Sequence, residues 1–446
     1  MKKLALTIAG VAAIVTFAPE ASAIPAFARQ VGMACSACHY QHHPLLNAFG
    51  RAFKSGAYTM MGAQGLVEGE GLSIPDRLNM TVYATTGVEN ESSATGATTT
   101  NTNKIFTPGT GGEFSLFMGG RGSDFMGFVA EAGLGGGGLT TTTSTGTVDT
   151  TTPNAAAPVT TTSTNPAPGI IAGTKILMLW PVGDNRIGLS IHSSQGQGVA
   201  YSFETLNTGA AGTHKLMGNG GPSNQHLNAT SAAQYLNTAT SATGVSFVAN
   251  NANGFINIGA WEAAGNDVVT GAKSLTLNYV RGVYTMDLAG YDTSFGLQHW
   301  GGSSTELAAL GASGKADANV IDFQAQGDGL GIYASYGTAP ASGTSALKVD
   351  ENMFNPSSTT DAKSALTIAA TYEVAKGATV QAGYRNGKQQ GFADNAIMVG
   401  AAYDLALNVS ISLNYTMQSG SYWDNLATTG GDAGKTATTL LMETLF

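Results

Sequence analysis

Apolar and polar residues alternate with a period of two along most of this chain, from about residue 76 to residue 446. The clearest run places apolar residues at every second position: Leu407, Val409, Ile411, Leu413 and Tyr415. The residues between them are asparagine or serine. A period of two sends the two classes to opposite faces of a β-strand. Because the pattern recurs in segment after segment, it predicts an all-β transmembrane barrel with lipid-facing strands over residues 76–446.

Composition excludes the main competing classes. Only 11% of the 446 residues are charged and mean hydropathy is +0.03, whereas an average soluble domain has about 25% charged residues. Beyond the N-terminus no apolar run approaches the roughly 20 residues that a membrane-spanning helix needs. The net charge of −9 argues against a nucleic-acid partner. The expected surroundings are therefore the lipids of an outer membrane.

The number of strands follows from turn signals. Seven short runs rich in Gly, Asp, Asn or Ala predict tight hairpins, at residues 122–124, 183–185, 250–253, 289–292, 327–329, 375–377 and 404–406. Together with an opening strand near 77–86 and a closing strand near 436–446, they predict about sixteen antiparallel strands. An even number places both termini on one side, and short turns belong on the periplasmic side. Both termini are therefore expected in the periplasm and the long loops outside the cell.

Low-complexity stretches are assigned to the long loops. Residues 87–111, 136–168 and 205–242 are rich in Thr, Ser, Gly and Ala, a composition typical of solvated loops. Four acidic residues are also placed in outer loops: Asp350, Glu351, Asp424 and Asp432. Such carboxylates either concentrate a cation by electrostatic focusing or only keep the surface soluble.

Residues 1–23 have the organisation of an export signal. Two lysines precede an apolar core at residues 4–17, and Ala21-Ser22-Ala23 is a small-residue cleavage site. The mature chain is expected to begin at Ile24 and to be exported to an oxidising compartment.

The only two cysteines lie in one motif, Cys35-Ser36-Ala37-Cys38-His39. C-x-x-C-H is the attachment sequence of c-type haem: two thiols on one turn reach the two vinyl groups, and the histidine ligates the iron. The alternative is the C-x-x-C disulfide of an exported thiol oxidoreductase, but no βαβ pattern surrounds the motif. The sequence therefore predicts one covalent haem c, bound through Cys35 and Cys38, with His39 as the proximal ligand.

Residues 44–54 are predicted to form a short helix that begins at Pro44. Arg51 and Lys54 lie off its apolar stripe. They are candidates for charge-assisted hydrogen bonds to haem propionates, or else solvated charges.

The distal iron ligand is left open between two pairs of residues. His42 and His43 follow His39 by three and four positions, so a continuous helix would place them on the same side of the haem as His39 unless the chain breaks at Pro44. Met60 or Met61 is the preferred candidate, because the chain after Gly56 can fold back over the ring.

The haem-bearing stretch, residues 24–62, is too short to form its own core, since domains below about 40 residues usually need outside support. The lumen of a sixteen-stranded barrel can supply that support. We therefore expect the segment to be a short helical plug that enters the barrel from its periplasmic end.

Several stretches resemble a known family. Residues 24–30 (IPAFARQ), the C-x-x-C-H motif, residues 49–54 (FGRAFK) and residues 56–58 (GAY) are similar to the fused monohaem cytochrome–porins of iron-oxidising bacteria. The order of haem segment and then porin matches over the mature chain. His42, His43 and the Thr-rich loops depart from the family pattern.

The resemblance implies an outer-membrane electron conduit that takes electrons from extracellular Fe(II) and passes them to a periplasmic c-type cytochrome. It implies an electron-transfer protein and leaves open an Fe(II) oxidase activity.

Two alternatives belong to other classes. One is a transport porin whose haem plug is a gate or a structural stopper. The other is a haem enzyme such as a peroxidase, which needs an open sixth site and a distal acid–base residue, with His43 as the candidate.

Overall fold

The computed structural model describes residues 25–41, 43–95, 98–134, 171–209, 231–263, 274–309, 312–343, 348–356, 358–424 and 433–446. The expectations for the signal segment 1–23, Ile24, His42, Asp432 and the loop 136–168 lie outside these residues. Among the described ranges, no helix is long and apolar enough to cross a bilayer.

Antiparallel strands close into a single barrel. They are β3 (Met80–Thr95), β4 (Thr98–Pro108), β5 (Gly111–Gly112), β6 (Phe114–Arg121), β7 (Met126–Gly133), β8 (Ile171–Val182), β9 (Asn185–Ser194), β10 (Ala242–Asn251), β11 (Gly254–Glu262), β12 (Leu277–Leu288), β13 (Tyr291–Gly302), β14 (Ala318–Gly327), β15 (Leu330–Ala339), β16 (Lys363–Ala375), β17 (Ala378–Gln389), β18 (Phe392–Ala406), β19 (Val409–Ser419) and β20 (Ala433–Leu445). A separate hairpin, β1 (Leu66–Gly69) with β2 (Leu72–Pro75), precedes them.

Strands β4, β5 and β6 together occupy one position in the barrel. The C-terminal part of β3, from Gly87 to Thr95, pairs with β4, and its N-terminal part, from Met80 to Ala84, pairs with β6. An irregular turn around residues 107–112 lies between β4 and β6. Counted in this way, the strands of the described residues occupy sixteen positions in the closed barrel, as predicted. It closes where β20 pairs with β3, from Ala433 opposite Ala94 to Leu445 opposite Tyr83.

Alternate residues of the strands face outward and are apolar. On β13, Phe295 and Leu297 are exposed, whereas Gln298 and Trp300 are buried inside the barrel. The same alternation runs along β18, where Ile397 is exposed beside a buried neighbour. An apolar outer face of this extent needs lipid around it. The predicted transmembrane barrel is confirmed.

Six of the seven predicted hairpin turns lie where the sequence placed them, and the seventh is displaced. Strand β18 continues to Ala406, so the turn falls at residues 407–408 rather than 404–406. Asn408 adopts a left-handed backbone with φ of 64°, a conformation that asparagine tolerates better than most residues. A further tight turn, at Gln390-Gly391, joins β17 to β18 at the opposite end and was not predicted.

Two of the predicted solvated loops have a different structure. The described residues of 87–111 are mostly strand, because β3 pairs with β4 in a long hairpin from Gly87 opposite Phe106 to Thr95 opposite Thr98. Within 205–242, the described residues fold into the barrel instead of into solvent. Leu206, Ala232 and Leu236 are fully buried there.

The first described residues, 25–41 and 43–62, form what we call the N-terminal segment, and it lies inside the end of the barrel that carries the tight turns. It contains helices α1 (Pro25–Val31) and α2 (Ala48–Ser55). Phe27 of α1 stacks on Tyr58, with 4.9 Å between ring centroids, and also contacts Phe53 of α2. These rings pack on the inner faces of the barrel wall, where Leu177 and Leu179 of β8 are fully buried.

Helix α2 begins four residues later than predicted. Asn47 caps its N-terminus by accepting a hydrogen bond of 2.9 Å from the Gly50 amide, as asparagine commonly does. The buried face also differs from the predicted stripe. Arg51 and Lys54 are buried while Ala52 is exposed, because the barrel wall supplies partners for the charged side chains.

Two further short helices, α3 (Ala232–Tyr235) and α4 (Thr305–Ala309), lie between barrel strands in the sequence.

Candidate functional site

The C-x-x-C-H motif forms a tight turn. Cys35–Ala37 is one turn of 3-10 helix, and the Cys35 carbonyl accepts hydrogen bonds from the amides of Cys38 (3.0 Å) and His39 (2.9 Å). No disulfide joins the two cysteines, which are the only ones in the chain. Cys35 is buried, and burial raises the pKa of the half-buried Cys38 thiol. The two cysteines therefore lie on one turn, as covalent haem attachment requires.

The His39 ring is oriented by the backbone that follows it. Its Nδ1 lies 3.1 Å from the carbonyl oxygen of Leu45. A proton on Nδ1 that is donated to this carbonyl leaves Nε2 as the lone-pair nitrogen, which is how metal-binding histidines are usually held. Leu45 is itself fully buried against Tyr333 and Met398 of the barrel wall. The wall thus fixes the acceptor that orients the candidate proximal ligand.

A small pocket that is partly open to solvent lies beside this turn. Cys35, His39 and His43 line one side of it. The other side is the barrel wall near the β18–β19 turn and the end of β20, including Asp404, Asn408, Ser410, Glu443 and Leu445. Thiols on one turn, an oriented imidazole and an adjacent pocket fit a c-type haem.

The chain reverses direction directly after His39. The Tyr40 amide donates to the Leu45 carbonyl (2.8 Å), and the Asn47 amide donates to the Cys38 carbonyl (3.0 Å). Gln41 has a left-handed φ of 64°. The described residues between Cys38 and Asn47 form no helix, and the chain reversal that the sequence left open is present in them. It returns His43 to His39, with 5.3 Å between the ring centroids and 58° between the ring planes.

The two candidate methionines lie elsewhere. Neither Met60 nor Met61 is among the residues that line the pocket. The Met60 side chain is 41% exposed, and its carbonyl accepts a hydrogen bond of 2.7 Å from Nε2 of Gln30. The next turn is also tied to α1, since the Gly62 amide donates to the Gln30 carbonyl. Their role as distal ligands stays a prediction.

The two cations proposed for the propionates face the barrel wall. Arg51 forms an ion pair with Asp292 at the start of β13. Lys54 is buried, and this desolvation lowers its pKa to about 8, although Glu204 acts in the opposite direction. Propionate contacts of these residues stay a prediction.

A second internal structure was not foreseen from the sequence. Residues 199–209 and 231–241, here called the inner loop, cross the lumen beyond the N-terminal segment. One side of the loop is held by Lys175 of β8, whose Nζ donates to the Tyr201 carbonyl (2.8 Å). The other side reaches β14, where Thr208 Oγ1 donates to Asp322 (2.8 Å). The run of Tyr201, Phe203 and Leu206 in an otherwise Thr- and Gly-rich stretch is the signal that could have indicated burial.

The inner loop contacts the N-terminal segment directly. Oδ1 of Asn207 accepts a hydrogen bond of 2.9 Å from the backbone amide of Leu46. The backbone amide of Asn207 donates to Oε1 of Gln324 on β14. The inner loop also carries a buried carboxylate that is paired inside the barrel. Glu204 accepts from Arg281 of β12 at 2.9 Å, and the same guanidinium contacts Asp322. The lumen is thus crossed twice by described residues that are hydrogen-bonded to each other.

The acidic residues predicted in the outer loops are partly neutralised. Glu351 pairs with Lys348 and accepts from Ser313 at 2.7 Å, and these contacts hold the pKa of its carboxyl below the usual value. Asp350 lies in the same 3-10 turn, and Asp424 ends a short helical turn after β19. A role in concentrating cations stays a prediction.

No protein-family model and no curated protein sequence matches the chain. Solved structures are similar to it in fold. A complex of Salmonella typhi OmpF with daunomycin has 11% identity and a TM-score of 0.46 and covers 86% of this chain and 100% of its own. The anion-selective porin of Comamonas acidovorans has 11% identity and a TM-score of 0.45, covering 83% and 100%. The outer membrane channel DcaP of Acinetobacter baumannii has 10% identity and a TM-score of 0.46, covering 83% and 97%.

Proposed function

We propose that this chain is an outer-membrane electron conduit. One haem c, bound covalently by Cys35 and Cys38 and ligated by His39, takes electrons from an extracellular donor and passes them to a periplasmic c-type cytochrome. The observation that carries the proposal is that Cys35 and His39 line one pocket inside a closed barrel, with the His39 ring oriented through Nδ1. The resemblance to cytochrome–porin fusions indicates Fe(II) as the donor.

The chain's own residues hold and insulate the group. When bound, haem supplies one-electron exchange at an iron whose potential depends on its axial ligands. The Leu45 carbonyl orients His39, and Asn408 and Leu445 of the barrel wall line the same pocket. Because tight turns are periplasmic in such barrels, the pocket borders the periplasm, where a soluble acceptor docks. An extracellular donor approaches from the opposite end, where the inner loop restricts access.

A transport porin with a structural or gating haem plug is the alternative. The closed sixteen-stranded barrel suits it equally well. The double crossing of the lumen, by the N-terminal segment and by the inner loop, favours the conduit, because a diffusive channel needs a continuous aqueous path.

The test is electron transfer across a sealed membrane. The purified protein, inserted in liposomes with its loops outward, should reduce an enclosed c-type cytochrome when Fe(II) is added outside. The matched control is the double variant Cys35→Ala/Cys38→Ala, which should form the barrel but carry no covalent haem and transfer no electrons. Haem staining of denatured protein establishes attachment independently. Ion leakage without reduction of the enclosed cytochrome would support the porin instead.

A further inference from the structure

The loop after the C-x-x-C-H turn places a second imidazole in the haem pocket. His43 lines the same pocket as Cys35 and His39. Resting on the proposed function, we propose that His43 is the distal axial ligand, so that the iron has two histidine ligands from one short stretch of chain.

The loop geometry brings the two rings together with a chain reversal between them. In a helix, His43 would lie one turn from His39 on the same face. Here the backbone reverses instead, with an isolated bridge pairing His39 with Leu46. His43 therefore lies on the returning side of the loop, and its ring faces the His39 ring at 5.3 Å between centroids.

That separation is close to what coordination requires. Metal–imidazole bonds are about 2 Å long, so two ligating nitrogens lie about 4 Å apart across the metal and the ring centroids about 6 Å apart. The rings need to separate by less than about an ångström to reach this spacing. The neighbouring residues are held by the wall, since Gln41 Nε2 donates to the Gly329 carbonyl and Leu45 is buried against Tyr333, so the adjustment falls on the side chains of His39 and His43.

The surroundings favour His43 over the other pocket residues. Among the described residues that line the pocket, the remaining side chains with donor atoms besides Cys35 and His39 are hydroxyl, amide or carboxyl groups: Ser36, Gln41, Asp404, Asn408, Ser410 and Glu443. Imidazole is the established axial partner of haem iron, whereas carboxylates and carbonyls suit harder cations. Tyr83 of β3 also lies beside the His43 ring, with 6.1 Å between the ring centroids, and its hydroxyl donates to Glu443, so the barrel wall contacts this ring.

The methionine alternative requires a larger rearrangement. To ligate the iron, Met60 or Met61 would have to leave the strip of chain that Gln30 holds through the carbonyls of Tyr58 and Met60. Gln30 is fully buried, so these hydrogen bonds are shielded from water and costly to break.

The experiment uses full-length protein with covalent haem and reads the spectrum of the iron. The parent should be low-spin without the near-infrared band of methionine ligation. His43→Gln should become high-spin, and added imidazole should restore the low-spin spectrum. His43→Met should acquire the near-infrared band and a higher midpoint potential, since methionine ligation raises the potential. His42→Gln and the double variant Met60→Leu/Met61→Leu are the matched controls and should leave the spectrum unchanged.

Three results would overturn the inference. They are an unchanged spectrum in His43→Gln, conversion to high spin in His42→Gln, and a near-infrared band in the parent that Met60→Leu or Met61→Leu removes. Each leaves the covalent haem and the proposed function intact. Absence of covalent haem from the parent would instead overturn the proposed function, and this inference with it.

Discussion

Gly50 of α2 lies directly against the backbone of Cys38. A Cβ on Gly50 would stand 2.9 Å from the carbonyl carbon and 3.1 Å from the Cα of Cys38, and closer still to its carbonyl oxygen. That oxygen already accepts the hydrogen bond of the Asn47 amide. The turn that carries both thiols is therefore packed on α2 with no room for a side chain between them.

Gly50→Ala should consequently displace the C-x-x-C-H turn and reduce covalent haem attachment several-fold. The obstacle is backbone rather than a flexible side chain, so it cannot be relieved by a rotamer change. Haem staining normalised to folded barrel on unheated gels measures the effect. Gly69→Ala is the control, because nothing lies within 4 Å of a Cβ there. Equal attachment in both variants would contradict the close packing.

The barrel was predictable because its signals are local. A strand with one lipid-facing side must alternate, so Leu413 and Tyr415 could be assigned to the outer face from the sequence alone, and both are exposed. Turns such as the one at Gly183 can be predicted from their local composition. The displaced turn at Asn408 shows the limit, because several neighbouring residues can adopt the turn conformation and cross-strand register decides among them.

The interior was not predictable because its partners are distant in sequence. Arg51 was predicted either to contact a propionate or to be a solvated charge, but its partner Asp292 lies 241 positions away in the sequence. Glu204 directly precedes the stretch 205–242 that was predicted to be a solvated loop, and its ion-pair partner, Arg281 of the barrel wall, lies 77 positions away. The C-x-x-C-H turn is local and formed as expected, whereas the loop that carries His43 depends on Leu45 packing against the wall.

The ion pair between Arg51 and Asp292 joins the N-terminal segment to the wall. Asp292 is a quarter exposed, so solvent screens part of the attraction, and a double-mutant cycle with Arg51→Met and Asp292→Asn should give a coupling of about 1–2 kcal/mol. Urea unfolding of the Cys35→Ala/Cys38→Ala background measures it without haem. If Arg51 also binds a propionate, Arg51→Met should lower the free energy of unfolding more in the haem-bearing protein than in the haem-free protein. Asp292→Asn should have the same effect in both. A coupling of zero would remove the pair as an anchor.

Because burial lowers the pKa of Lys54, the free energy of unfolding is expected to depend on pH. The group titrates at about 8 in the folded chain and at its ordinary value of 10.5 when unfolded, so the unfolded state binds more protons between these values. Stability of the haem-free protein should therefore rise from about pH 8 to pH 10.5, by at most about 3 kcal/mol. Lys54→Met should be more stable than the parent near pH 7 and lack the rise. Urea unfolding of both proteins at pH 8 and at pH 10.5 tests this. A parent whose free energy of unfolding falls between these pH values, relative to that of Lys54→Met, would contradict it.

The double crossing of the lumen predicts low ion conductance. The N-terminal segment fills the tight-turn end, and the inner loop, tied to it through Asn207 and Leu46, crosses the barrel beyond it. Deleting residues 25–62 removes one crossing and the hydrogen bonds that tie the other to it, so single-channel conductance in planar bilayers should rise several-fold. Heat-modifiable migration on gels confirms that the shortened chain still forms a barrel. The Cys35→Ala/Cys38→Ala variant is the matched control: it lacks haem but keeps both crossings, so it should conduct as little as the parent. Equal, porin-like conductance in all three proteins would mean that water and ions pass the described crossings, and the transport porin would then be the better description of this chain.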